Sequence, residues 1–153
     1  NYGAGEIGYL ITDKKLAKNY HPVHKGYGFL ESVAGGSAIS LQMSERFQRN
    51  ITSRKAFELY AEGHEDAVEI VGEALENLAV GITNYVSLFD PELIILGGGV
   101  SGSFSIIHKK VMEVMRRYAP QQCKVVRTSF GKEAGVIGGA ALFFNEYEGL
   151  FKI

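Results

Sequence analysis

The stretch that decides the fold is residues 93–101, which read Leu-Ile-Ile-Leu-Gly-Gly-Gly-Val-Ser. Four consecutive apolar residues, Leu93 to Leu96, predict a short strand that is buried on both faces. Three glycines follow, and a helical pattern then runs from Ser103 to Tyr118. In an open α/β sheet, ligands bind where a strand ends in such a turn. The free N–H groups of the turn suit an anion such as phosphate.

The glycine triplet does not identify a ligand by itself. A P-loop would end in Gly-Lys-Ser/Thr, and the dinucleotide motif would need a further glycine three residues after Gly99. Neither pattern is present. A turn that only joins a strand to a helix explains the triplet equally well, so whether the triplet binds a ligand must be judged from the rest of the chain.

Size and composition indicate one ordinary globular domain, residues 1–153, with 46% apolar and 22% charged residues. The net charge of −1 argues against a basic surface for nucleic acid. No apolar run in the sequence is long enough for a membrane span. The single Cys123 excludes an internal disulfide and favours a reducing, cytoplasmic location; we expect it to be buried. Because the chain begins Asn-Tyr-Gly-Ala-Gly, we expect it to be part of a longer polypeptide.

Helical periodicity organises the segments on both sides of the glycines. The longest pattern, His64 to Phe89, ends at Asp90-Pro91 and leads directly into the strand. Two shorter helices are predicted before it, with Ser37 and Ser53 as their N-caps. A strand over 124–129 and a final helix from Ala134 are predicted after it.

The first 28 residues predict a glycine-rich turn, a short strand at 9–11 and an exposed loop over 13–28. Glu6 in that turn is either a solvated residue or a hydrogen-bond acceptor aimed into a cleft. Glu31 likewise precedes a glycine pair. His21 and His24 invite a metal hypothesis, but two histidines without a third ligand favour a solvated loop.

Four glycine-bearing segments in series resemble the ROK family (repressors, open reading frames and sugar kinases). The resemblance covers nearly the whole chain and implies the C-terminal lobe of an actin-like ATPase fold. That α/β lobe has a ribonuclease-H-like core, a central mixed sheet and flanking helices. The matching segments are Gly5-Glu6-Ile7-Gly8-Tyr9, Leu30-Glu31 ahead of Gly35-Gly36, Pro91 through Val100, and residues 134–141.

The resemblance also implies roles for individual residues. Glu6 and Glu31 match family glutamates that bind sugar hydroxyls, a role that suits strong carboxylate acceptors. Tyr9 stands at a third sugar-binding position. The glycines Gly97, Gly98 and Gly99 match the loop at the nucleotide phosphates and ribose, and Gly135 and Gly138 match the segment beside the adenine.

Tyr9 is a departure from the family pattern, which usually has a histidine there that binds a structural zinc. The family's cysteine cluster is also absent between Asp13 and Glu31. We therefore expect no zinc and no other metal site in this chain. The same histidine contacts the sugar near its anomeric hydroxyl, so its replacement argues against plain glucose. The resemblance then implies a hexose or β-glucoside hydroxyl as the acceptor, because family members without the zinc cluster look like β-glucoside kinases.

The resemblance implies an ATP-dependent, magnesium-dependent sugar kinase whose N-terminal lobe lies outside this chain. The catalytic base, the first phosphate loop and most of the magnesium site would belong to that lobe, so we expect the isolated chain to be inactive. One alternative is a sugar-sensing repressor of the same family, the only case in which nucleic acid would be a partner. Another is an actin-like lobe without sugar chemistry.

A homodimer is expected because members of the family commonly dimerise. The apolar residues 142–144 and 150–151 would then pack on a partner or on the missing lobe.

Overall fold

A computed structural model describes residues 5–146, so the expectation for residues 150–151 lies outside the described residues. Helices dominate this range, and a small parallel sheet lies near its C-terminal end. The helices and strands are α1 (Lys14–Lys18), α2 (Phe29–Ala34), α3 (Gly36–Phe47), α4 (Ser53–Ala61), α5 (Glu65–Phe89), β1 (Leu93–Leu96), α6 (Phe104–Tyr118), β2 (Lys124–Arg127) and α7 (Ala134–Glu146).

Helix α5 is the centre of the core, and its prediction is confirmed. It has 25 residues and is therefore about 37 Å long. Glu65 and Asp66 lie in its first turn, where acidic side chains favour the helix dipole. It ends at Asp90, whose φ of 45° is left-handed, just before Pro91. Helices α2, α3, α4 and α6 all pack against α5, and they bury its apolar face from Ala67 to Val86, whereas Leu88 and Phe89 at its end are exposed.

Strands β1 and β2 pair in parallel, with Leu93 opposite Lys124 and Leu96 opposite Arg127. The prediction that β1 is buried on both faces is wrong for the part of the chain that the structure describes. Leu93 and Ile95 are 44% and 60% exposed, whereas Ile94 and Leu96 pack on the core. The helices cover one face of this two-stranded sheet and leave the other open.

The first residues differ from the prediction as well. Instead of a strand at 9–11, the chain forms a 3₁₀ turn at Ile7–Tyr9. Within 13–28, helix α1 begins where the Asp13 carboxylate accepts hydrogen bonds from the N–H groups of Lys15, at 2.6 Å, and Leu16, at 3.1 Å. An aspartate in this position satisfies N–H groups that the helix cannot pair itself.

Both predicted N-caps are wrong by one or two residues. Helix α3 begins at Gly36 with Gly35 as its N-cap, because α2 ends at that same glycine. Helix α4 is capped by Thr52, whose hydroxyl accepts from the N–H of Lys55 at 3.2 Å. Ser37 and Ser53 are therefore the second and first residues of their helices, and the helices themselves are confirmed.

The end of the described chain is less enclosed than its middle. Helix α7 forms as predicted, but Val136 and Leu142 are 77% and 71% exposed. Cys123 is buried as expected, and burial raises the pKa of its thiol. None of the helices within residues 5–146 is long and apolar enough to cross a membrane.

Candidate functional site

The turn that carries Glu6 lies directly against the start of α2. A Cβ added at Gly28 would lie 2.3 Å from the carbonyl oxygen of Gly8, so only glycine permits this approach. A Cβ added at Gly8 would lie 3.5 Å from the Cβ of Glu31 and 3.6 Å from its Oε2. The structure thus brings together the two segments that carry the predicted carboxylates.

Both carboxylates of this pair, Glu6 and Glu31, are exposed. Glu6 also borders a groove of about 190 Å³, whose walls include Leu10 and the α5 residues Tyr85 and Phe89. Exposed carboxylates accept hydrogen bonds from hydroxyl groups, and an apolar wall can cover the C–H groups of a ring. This combination is chemically suited to a polyhydroxylated ligand.

Tyr9 follows the same turn, but its hydroxyl contacts another segment. Its Oη donates a hydrogen bond of 2.7 Å to the carbonyl oxygen of Gly26. The side chain is 61% exposed. Its contact with a sugar stays a prediction.

The glycine loop after β1 is open to ligands. Gly98 has a φ of +83°, a left-handed conformation that strongly favours glycine. Gly97 packs near Thr128, whereas no heavy atom of the described chain lies within 4 Å of the position of a Cβ on Gly98 or Gly99. The backbone continues as a 3₁₀ turn over Gly99–Ser103 and then enters α6. A ligand can therefore reach the backbone of this loop without meeting a side chain.

Three helices begin around this loop. A Cβ on Gly36, the first residue of α3, would lie 3.1 Å from Val100 Cγ1 and 3.4 Å from the hydroxyl of Ser53, the first residue of α4. Helix α6 starts at the other end of the loop. The N-caps of α3 and α6, Gly35 and Ser103, make no side-chain capping hydrogen bond. The three helix N-termini therefore concentrate partial positive charge at one place, which favours an anion.

A cavity of about 390 Å³ lies between α4 and the glycine loop, within the usual range for ligand pockets. The side chains of Ser53, Arg54 and Glu58 line its α4 side, and Gly99 lines the loop side. These α4 residues are not among the site residues predicted from the sequence. Only the fold places them beside a glycine loop that is distant in sequence, so no local pattern indicates them.

A third groove lies between the Glu6 turn and the end of β1. It has a volume of about 250 Å³ and extends from Gly5 and Ile7 across α5 to Leu96, the residue before the glycine loop. It shares Gly5, Ile7 and Tyr85 with the groove beside Glu6, and it ends one residue before the glycine loop.

Gly135 and Gly138 are exposed on α7. Within the described chain, no atom outside their own helix lies within 4 Å of the position of a Cβ on either glycine. The structure does not bring them against the glycine loop, and their contact with an adenine stays a prediction.

Comparison with known proteins identifies the family. The family model described as "ROK family" matches residues 3–146. The chain belongs to the ROK family. The N-acetyl-D-glucosamine kinase of Haemophilus influenzae (strain 86-028NP) is 28% identical over 154 residues, covering 94% of this chain and 50% of that protein. The glucokinase of Pyrobaculum calidifontis is 28% identical over 152 residues, covering 97% and 51%. The chain spans about half the length of these ROK relatives.

Solved structures confirm the fold of this ROK chain as that of actin-like ATPases. The ROK hexokinase of Thermus thermophilus has a TM-score of 0.74 and 29% identity, with 90% of this chain and 46% of that one covered. A Streptomyces griseus ROK glucokinase in complex with glucose and AMPPNP has a TM-score of 0.70 and 22% identity, covering 91% and 51%. A ROK family transcriptional regulator has a TM-score of 0.68 and 27% identity, covering 86% and 36%.

Proposed function

We propose that this chain is the C-terminal, sugar- and nucleotide-binding lobe of a cytoplasmic ATP-dependent sugar kinase. The observation that carries the proposal is the glycine loop with three helix N-termini around it, together with two exposed carboxylates on segments that lie against each other. One region suits phosphate groups and the other suits hydroxyl groups. A phosphoryl transfer from a nucleotide to a sugar needs both.

In this proposal the carboxylates of Glu6 and Glu31 accept hydrogen bonds from sugar hydroxyls and orient the acceptor. The Gly97–Gly99 backbone and the helix N-termini bind the nucleotide phosphates, with Arg54 as a nearby cation. Phosphoryl transfer depends mainly on positioning and on stabilising charge, so such contacts contribute directly to the rate. Gly135 and Gly138 remain candidates for the adenine side.

Magnesium, when bound to the nucleotide, would neutralise phosphate charge. Within residues 5–146, however, no group of three or more His, Cys, Asp or Glu side chains could hold a metal ion. We assign no magnesium ligand and no catalytic base to the described residues. Both would come from the N-terminal lobe, so the isolated chain should not phosphorylate any sugar. In this proposal the active form is a homodimer of two-lobe subunits.

The test is coupled ADP release by the natively encoded polypeptide with MgATP. The sugars are glucose, N-acetylglucosamine, N-acetylmannosamine, fructose and cellobiose. We expect turnover with at least one sugar and a loss of more than ten-fold in kcat/KM for Glu31→Gln, since a charged acceptor is lost. Glu45→Gln, an exposed glutamate on α3, is the matched control and should be silent. Turnover of cellobiose but not glucose would support the β-glucoside expectation from Tyr9.

A second candidate is a sugar-responsive transcriptional regulator, favoured by the likeness to the ROK regulator structure. It predicts sugar binding without ADP release. It also predicts that the natively encoded polypeptide binds DNA and that sugar changes this affinity. Electrophoretic mobility shifts on the DNA upstream of its own gene, with and without sugar, distinguish the two candidates.

A further inference from the structure

The loop formed by residues 19–28 is held on both sides by tyrosine hydroxyls. Tyr9 Oη donates to the carbonyl oxygen of Gly26 at 2.7 Å, and Tyr20 Oη donates to the carbonyl oxygen of Tyr27 at 2.8 Å. These carbonyls are consecutive, and they immediately precede Gly28, the N-cap of α2. Glu31 lies in the first turn of that helix. The two hydroxyls therefore fix the chain at the point where it enters the helix that carries Glu31.

Further contacts hold Tyr20 in place. Its ring lies 5.5 Å from the ring of Phe29, measured between centroids. Its hydroxyl is also 3.4 Å from the Oγ of Ser32, which is buried and accepts from the N–H of Val23 at 3.3 Å. The loop is thus tied to α2 by a small polar network together with one aromatic contact.

The donor chemistry here does not fit the structural zinc that is typical of the family. Such sites use four cysteine or histidine ligands. Tyr9 occupies the histidine position, and residues 13–31 contain no cysteine. Of the two histidines, His24 packs its ring edge-on against Tyr27, with centroids 5.0 Å apart. Two histidines cannot complete a four-ligand site.

We propose that Tyr9 and Tyr20 close this loop by hydrogen bonds in place of a metal and so act as positioning residues for Glu31. The positioning step rests on the proposed sugar-kinase function, whereas the loop closure does not. Tyr20 acts through the loop and through α2, and it is not assigned a contact with the substrate.

Hydrogen–deuterium exchange of the natively encoded polypeptide tests the closure. The reporters are the N–H groups of Val23 and Tyr27, the second of which donates to the His24 carbonyl at 3.1 Å. Tyr9→Phe and Tyr20→Phe should each speed exchange of these amides about five-fold relative to the parent, because each variant loses one ordinary hydrogen bond. Tyr118→Phe is the control, because Tyr118 is 63% exposed at the end of α6. Unchanged exchange in both loop variants would overturn the closure.

Metal analysis is the second measurement. The purified protein should contain no stoichiometric zinc, and dialysis against EDTA should leave exchange in residues 19–28 unchanged. One zinc per chain, with faster loop exchange after its removal, would overturn the proposal even if the protein is an active kinase.

Steady-state kinetics test the positioning. Tyr20→Phe should raise the KM for the sugar about five-fold, with kcat and the KM for ATP within two-fold of the parent values. Faster loop exchange with an unchanged sugar KM would refute positioning and leave the closure standing. If the parent shows no turnover with any sugar, the proposed kinase function fails, while the exchange experiment still decides the closure.

Discussion

The helical core around α5 and the outer face of β1 are built from the same residue types but differ in how they are covered. Ile82 on α5 is 2% exposed, and Val71 and Val86 are fully buried. Ile95 on β1 is 60% exposed, and Val136 on α7 is 77% exposed. The residues of the α5 core are buried by the described chain, whereas Leu93 and Ile95 on β1 and Val136 and Leu142 on α7 are exposed in it.

This contrast fits a chain that spans about half the length of its ROK relatives. Apolar surface contributes stability only when it leaves water, at roughly 25 cal/mol per Å². The core should therefore account for most of the stability of this chain. The outer face should contribute only where further chain covers it, as the two-lobe proposal requires.

The largest expected effect comes from truncating the same residue type in both regions. Ile82→Ala should lower the free energy of unfolding by about 2–5 kcal/mol, because it leaves a cavity that neighbouring groups fill only in part. Ile95→Ala in the same chain should change it by less than about 0.5 kcal/mol. Urea denaturation followed by circular dichroism measures both.

Equal costs for Ile82→Ala and Ile95→Ala would contradict the contrast. The comparison can be repeated in the natively encoded polypeptide. If the second lobe covers β1, Ile95→Ala should there cost about as much as a core truncation, roughly 2 kcal/mol or more.

The contrast also explains which parts of the fold the sequence could predict. Helices α5 and α6 follow from long apolar periodicity, which depends on the residues of the helix alone. The four apolar residues of β1 indicate that the strand can be buried on both faces. They do not indicate whether a second covering layer is present, so the prediction of full burial failed at Leu93 and Ile95.

The predicted starts of α3 and α4 were wrong for a local reason. Thr52 and Ser53 can each cap a helix, as can Gly35 and Ser37, and the choice depends on how α2 and the preceding turn are packed. The strand predicted at 9–11 is wrong because residues 7–9 form a 3₁₀ turn whose backbone packs closely on Gly28 at the start of α2.

The candidate site was only partly predictable. The carboxylates and the glycine loop belong to motifs that the sequence shows. In the structure, Glu31 lies against the Gly8 turn, and no side chain of the described residues covers the backbone of Gly98 and Gly99. Arg54 shows no such signal, because a cation in the first turn of a short helix is ordinary. Its candidate role rests on the cavity that α4 forms with the distant loop.

The second prediction concerns the contact between the Gly8 turn and α2. Gly28→Ala would place a Cβ 2.3 Å from the Gly8 carbonyl oxygen, so the backbone must shift. It should cost about 1–3 kcal/mol of stability and abolish measurable sugar binding. Gly72→Ala is the control. Its Cβ would meet only Tyr60 at 3.9 Å, and it should stabilise α5 by about 0.5–1 kcal/mol. Urea denaturation measures the change in stability, and calorimetry measures sugar binding. Sugar binding by Gly28→Ala at parental affinity would contradict the assignment of the sugar site to the Gly8 turn and α2.

The third prediction concerns the cavity beside the glycine loop. Arg54→Ala in the natively encoded polypeptide should raise the KM for ATP about ten-fold, since a charged hydrogen-bond donor to phosphate is lost. The KM for the sugar should stay within two-fold of the parent value. Arg49→Ala is the matched control, because the Arg49 guanidinium lies 5.8 Å from the Phe47 ring centre, outside the cavity. A rise in the sugar KM alone would show that the cavity belongs to the acceptor.

The smallest effect concerns an ion pair that joins α5 and α6. Lys110 Nζ lies 2.9 Å from Glu76 Oε2 and 3.5 Å from Glu113 Oε1. The hydrogen bond that the Lys110 ammonium donates to the Glu76 carboxylate raises the pKa of Lys110 above its ordinary value. Lys110→Gln should therefore cost about 0.5–1 kcal/mol at neutral pH and less in 1 M NaCl.

The pH dependence of this difference has a fixed sign. A raised lysine pKa means that the folded state holds the proton more tightly than the unfolded state does. The contribution of Lys110 is therefore fully present below the unfolded pKa, about 10.4, and is lost as the pH rises through the higher folded pKa. Urea titrations of the parent and Lys110→Gln at pH 8 and pH 11 should show the stability difference shrinking, whereas Lys14→Gln on the exposed α1 should show no such change. A difference that stays constant with pH would mean that Lys110 stabilises the α5–α6 contact through its aliphatic stem rather than its charge.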